Sequence, residues 1–149
     1  HRNLFVKSKG WDESILRNQD GEFFARVAAE ASKSLSVKNV FAIWRQTGNG
    51  VSTRKSTESH KSVLLTFKRI INLILSYKDT SETRYACANH LGLFLYMHYD
   101  TIQPLIPDIL KVYNELGTGI VLPNRKTIKI LRFFLGWRNA LKITKKIKL

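Results

Sequence analysis

This 149-residue sequence predicts an all-α fold, on three observations. Apolar residues recur at helical spacing in three stretches. These are Val63, Phe67, Ile70, Ile71 and Ile74; then Ile102, Leu105, Ile106, Ile109, Leu110 and Tyr113; then Ile130, Phe133, Phe134, Trp137 and Leu141. Polar or glycine-containing turns punctuate them, Asp79-Thr80-Ser81 and Gly117-Thr118-Gly119. Two amphipathic helices joined by about three to five polar residues form an antiparallel hairpin, and a lone hairpin leaves apolar faces that further helices must cover. We expect one domain over residues 1–149, with helical hairpins stacked in a short array or an irregular bundle.

Taken in order, residues 1–10 read as an extended basic arm. Trp11-Asp12-Glu13 predicts a short helix to about Arg17, with acids where the dipole favours them. Asn18 to Gly21 breaks it, and Asp20 is a candidate cap for a helix from Glu22 to Leu35 with Phe23, Val27, Ala28 and Ala31 on one face. Val37 to Gln46 predicts another, burying Val40, Phe41 and Trp44. Thr47 to Lys61 is nearly free of apolar residues and reads as an exposed loop. The hairpin follows, 67–78 and 82–95. Pro104 suits the first turn of a helix over 101–116, unless that helix begins only at Pro107. Gly117 ends it. Ile120-Val121-Leu122 reads as a short extended apolar plug. A basic helix from Arg125 to Ile147 closes the chain, its apolar stripe opposed by Lys129, Arg132, Arg138 and Lys142. The expected core is Phe67, Ile70, Ile71, Ile74, Leu91, Leu95, Ile109, Phe134 and Trp137.

In the hairpin the acidic turn Asp79-Thr80-Ser81-Glu82 is followed by Thr83-Arg84, by Ala86-Cys87-Ala88 and by Leu91-Gly92. This pattern resembles a HEAT repeat. Thr83 stands where the family has valine, and bulky Tyr85 and His90 flank the small residues. The resemblance covers about one repeat and implies a binding scaffold. It implies that Arg84 ties neighbouring helices together, with Asp79 a candidate partner, and that Ala86, Ala88 and Gly92 allow close helix approach. A plain helical bundle with a small-residue contact accounts for the same residues.

Charge narrows the function. The chain carries +14, distributed as 0 over residues 1–31, +8 over 32–78, −3 over 79–122 and +9 over 123–149. Two basic blocks of this size point to a polyanion or an acidic protein surface. The candidate contacts are Arg54, Lys55, Lys61, Lys68 and Arg69 in the first block, with Lys129, Arg132, Lys142 and Lys145 in the second. For the last helix, a packed helix with a solvated basic face, a nucleic-acid contact, a dock for an acidic partner and a membrane-surface helix all fit the pattern. The loop fails the P-loop test, because Arg54 rather than glycine precedes Lys55. Arg54-Lys55-Ser56 also fits a basophilic kinase site.

Catalytic constellations are not evident. His90 and His98 lie eight apart, and no cysteine or acid completes a ligand set at metal spacing. The single cysteine, Cys87, excludes a disulfide framework and favours an intracellular compartment. The start HRNLFVKSKGW has neither a signal-peptide core nor an initiator Met, as an excised domain or processed chain would. The expectation is a non-enzymatic scaffold, without metal, cofactor or small-molecule substrate and away from membranes. It contacts RNA, in preference to DNA, in a nucleus or mitochondrion, or else docks an acidic partner protein.

Overall fold

The computed structural model describes residues 2–41, 43 and 56–147. The fold is all-α: α1 (Arg2–Lys7), α2 (Gln19–Glu30), α3 (Thr57–Tyr77), α4 (Ser81–His98), α5 (Ile106–Glu115) and α6 (Lys126–Lys146), with a 3₁₀ turn at Gln103–Leu105. There is no strand among the described residues. The chain forms two compact units, residues 1–73 and 74–149.

In the first unit the local structure departs from expectation at several places, and α2 ends at Glu30 rather than Leu35. The N-terminal arm is helical: α1 ends where Lys9 and Gly10 take left-handed φ values of 61° and 63°. Phe5 then packs edge-on to Phe23, with ring centroids 5.7 Å apart. The stretch Trp11–Arg17 is not a helix. Asp12 accepts a hydrogen bond from Ser14 N at 2.9 Å, an Asx turn. The N–H groups of Leu16 and Arg17 both donate to Ser62 Oγ, at 2.9 and 3.2 Å, so they cannot serve a helical ladder. Trp11 instead stacks on Phe23 at 4.3 Å. Before α2, Asn18 adopts φ 65° and donates to Thr66 Oγ1 at 2.8 Å, leaving Asp20 in the first turn rather than at the cap. Val37–Phe41 is also not helical. Asn39 sits at φ 61°, and Val40 and Phe41 are exposed; Trp44 lies outside the described residues.

Helix α3 begins earlier than the sequence suggested. Ser56 caps it by accepting from Ser59 N at 3.1 Å, and Glu58 occupies the first turn where the dipole favours an acid. Residues 57–61 of the expected loop are therefore helical, and residues 47–55 lie outside the described residues. The stripe Val63, Phe67 and Ile71 is buried as expected, while Ile74 is exposed.

In the second unit Thr80 caps α4, its hydroxyl accepting from Thr83 N at 3.3 Å. Pro104 occupies the start of the 3₁₀ turn, and α5 begins at Ile106 with Pro107 in its first turn. Gly117, at φ 64°, ends α5 in a Schellman motif: Thr118 N donates to Tyr113 O and Gly117 N to Asn114 O, at 3.1 and 2.9 Å. Leu91, Leu95, Tyr99, Ile102, Leu105, Ile109, Leu116 and Leu141 are all almost completely buried.

Two side chains lock this unit. Arg84 grips Asp79 in bidentate fashion, at 2.5 and 2.7 Å, and donates to Glu115 O at 3.0 Å, tying α4 to the end of α5. Buried Tyr113 donates its hydroxyl toward Ala88 O at 3.1 Å and Val121 O at 3.3 Å. The expected small position Gly92 serves a chain segment rather than a helix. A Cβ there would lie 1.9 Å from Val121 O, so only glycine lets the 120–122 segment rest on α4.

The sequence misassigned the core of the last helix. Gly136 takes φ 73° and ψ 165°, breaking α6 into two rods. An apolar stripe drawn as one continuous wheel fails across that break. Ile128, Ala140, Leu141 and Thr144 are buried, Trp137 is half-buried, and Ile130 is exposed. Phe133 and Phe134 are 83% and 75% exposed.

Candidate nucleic-acid interface

The candidate contacts of the two basic blocks fall in different units. In the first, Arg54 and Lys55 lie outside the described residues. Lys61 is exposed on α3, and Lys68 is half-buried. Arg69 is committed elsewhere: it pairs with Asp12 at 2.6 Å and lies 3.8 Å from Glu22. Glu22 is itself buried and held by two bonds from Arg26, at 2.9 and 2.8 Å. Hydrogen bonds from Ser14 and then Arg69 pull the Asp12 carboxyl down from its ordinary 3.8 to about 2. These groups line a cleft of about 810 Å³ in which Lys9, Arg26 and Arg69 face Asp12, Glu13 and Glu22. Three cations against three carboxylates leave no net attraction for a polyanion.

The second unit is different. Its five carboxylates all precede residue 116, and the nine cations beyond Pro123 have no acid among them. The ion pairs seen among the described residues involve Arg26, Arg69 and Arg84, none of them on α6. Lys129, Arg132 and Lys142 are exposed. Lys145 is partly engaged, donating to Met97 O at 3.1 Å with its ammonium 4.8 Å from the Tyr96 ring centre. Arg125 lies over the same ring at 5.6 Å, and Arg138 over Trp137 at 5.2 Å.

Lys129 and Arg132, one turn apart on α6, share a cleft of about 420 Å³ with Tyr85 and Asn89 of α4 and with Thr118 and Asn124 of the connecting segment. No carboxylate lines it. It also adjoins the start of α6, where Arg125 at the cap position offers no side-chain hydrogen bond. The positive end of the helix dipole therefore adds to the two side-chain charges. The Gly92–Val121 contact and the Tyr113 hydroxyl fix the connecting segment that forms one wall.

Sequence reasoning found the cations of this cleft but not its other walls. Tyr85 and Asn89 are four apart, hence on one helical face, which is a signal available in the sequence. Their meeting with residues 118–124 is tertiary. The described residues contain no cluster of His, Cys, Asp or Glu able to hold a metal, and no helix long and apolar enough to cross a membrane. No family model, curated protein or solved structure matches the chain.

Proposed function

We propose that this protein is a non-catalytic scaffold that binds the backbone of RNA, in preference to DNA, through the cations of α6. Lys61 and Lys68 are further contacts, and HEAT-like stacking of its helices within a larger nuclear or mitochondrial assembly belongs to the same reading. The observation that carries it is the segregation of charge in the second unit, where the five carboxylates all precede residue 116 and the nine cations beyond Pro123 have no acid among them. Phosphates supply the missing counter-charge, and their released counterions drive binding. Exposed Phe133 and Phe134, with ring centroids 5.1 Å apart, favour single strands, whose splayed bases stack on aromatic faces.

The same exposed rings favour a second reading, an acidic partner protein with apolar side chains. Salt sensitivity does not separate the two, because both are charge-driven. Competition between a mixed-sequence RNA and an acidic peptide of matched charge does, with the triple reversal Lys129→Glu, Arg132→Glu and Lys142→Glu alongside. RNA is expected to win. Its affinity should fall roughly a thousandfold or more between about 50 and 200 mM salt if about six phosphates are contacted. The triple reversal should abolish binding. If the peptide binds as well as the RNA, or the reversal leaves RNA affinity intact, the nucleic-acid reading is wrong.

A further inference from the structure

We infer that the cleft of the second unit is a pocket for a single nucleotide, seating one base of a bound RNA strand together with its phosphate. This rests on the RNA-binding reading and sharpens it, since generic backbone contact needs no pocket. The volume, about 420 Å³, lies within the range of small-ligand sites and suits one nucleotide rather than a helix or a folded partner. Each chemical part of a nucleotide has a counterpart on the walls. Lys129 and Arg132 supply cations for the phosphate, and no carboxylate opposes them. Tyr85, 58% exposed, offers a flat aromatic face for the base.

The base edges have readers as well. Asn89 and Asn124 each carry a carbonyl acceptor and an amide donor, the paired groups that discriminate one base edge from another. The connecting segment adds backbone polar groups, because residues 118–122 form no helix and no sheet. A carboxylate side chain of an acidic peptide would use the two cations and leave the tyrosine face and both amides idle. The pocket therefore predicts base selectivity at one position of the strand, which scattered surface lysines cannot produce.

The test measures binding of labelled A, C and U homopentamers at about 150 mM salt. The four ribonucleoside 5′-monophosphates serve as competitors. One pentamer should bind roughly tenfold tighter than the others. Tyr85→Ala and Asn89→Ala should each weaken that pentamer roughly tenfold, the scale of one lost base contact, and flatten the ranking. Tyr85→Phe should keep it, showing that the face matters and that the unit still folds. Lys142→Glu, outside the cleft, should weaken all pentamers alike and preserve the ranking. Equal binding of all pentamers, unmoved by Tyr85→Ala but weakened by Lys142→Glu, would overturn the pocket and leave the RNA reading standing. Saturable, Tyr85-dependent binding of a monophosphate with no pentamer binding would support the pocket and overturn the RNA reading. Absence of both would overturn both.

Discussion

Replacing Gly92 by alanine gives opposite predictions from local and tertiary reasoning, so it tests the packing of the second unit directly. On helix propensity alone, Gly→Ala within α4 should stabilise by about 1 kcal/mol. The structure places the new Cβ 1.9 Å from Val121 O, 2.9 Å from Val121 C and 3.1 Å from Tyr113 Oη. The closest atoms are backbone, so they cannot swing aside as a flexible side chain would. The carbonyl must retreat by more than an ångström, which strains its hydrogen bond with Tyr113 Oη, 3.3 Å in the native chain. Overpacking of this kind costs about 1–3 kcal/mol, and loss of the hydrogen bond about 1 kcal/mol more. Setting the propensity gain against these leaves a net destabilisation of about 1–3 kcal/mol. Gly119 is the matched control, since a Cβ there meets nothing within 4 Å and its backbone is not left-handed; Gly119→Ala should shift stability by less than about 0.5 kcal/mol. Urea melts of the three proteins decide the matter. A Gly92→Ala protein as stable as the native chain would mean that Val121 does not rest on α4.

Other expectations follow from the same contacts. Arg84→Ala should lower the urea midpoint, because it frees Asp79 and the Glu115 carbonyl, yet leave RNA affinity of the folded protein unchanged; unchanged melting with lost binding would make Arg84 a ligand residue instead. Ile71→Ala, at a buried position of α3, should cost about 2–5 kcal/mol in the same melts, and a cost near zero would place that helix in a different register. Acid should destabilise the protein in two stages. Burial, and secondarily Arg17, holds His60 below its ordinary 6.5, so its contribution is complete above that value and is lost as pH falls through the lowered one. Asp12 is likewise depressed, so its contribution is complete above 3.8 and is lost as pH falls toward about 2. Urea midpoints that stay flat from pH 7.5 to 3 would contradict both assignments.

How much of this was legible depended on whether the controlling interaction was local. The stripe Val63, Phe67 and Ile71 and the end of α5 at Gly117 follow from short-range spacing, and the sequence predicted both; it left the start of α5 open between Pro104 and Pro107. The Trp11–Arg17 stretch did not follow, because its N–H groups go to Ser62, more than forty residues away. Asn39 and Gly136 show the other failure: a single residue with positive φ interrupts a helical pattern that still looks continuous on paper. The candidate site divides in the same way. Charge counting picked out Lys129 and Arg132, which need no partner to be noticed. It overcounted Arg69, whose charge is taken by Asp12 and Glu22. Tyr85 was visible only as a bulky residue out of place in a HEAT pattern, and its position on a cleft wall depends on the chain returning at residues 118–124.

The break at Gly136 also bears on how α6 can measure a ligand. In an unbroken helix the thirteen residue steps from Lys129 to Lys142 would set those two cations about 20 Å apart along one axis, a fixed ruler against which phosphate spacing could be judged. With the rod divided, that register is no longer a property of helix geometry. It is set by one pair of dihedral angles at a residue with open space around it. Strands of different curvature therefore need not match a single repeat, and an alanine at 136, which disfavours the left-handed angle, would bias α6 back toward one fixed spacing.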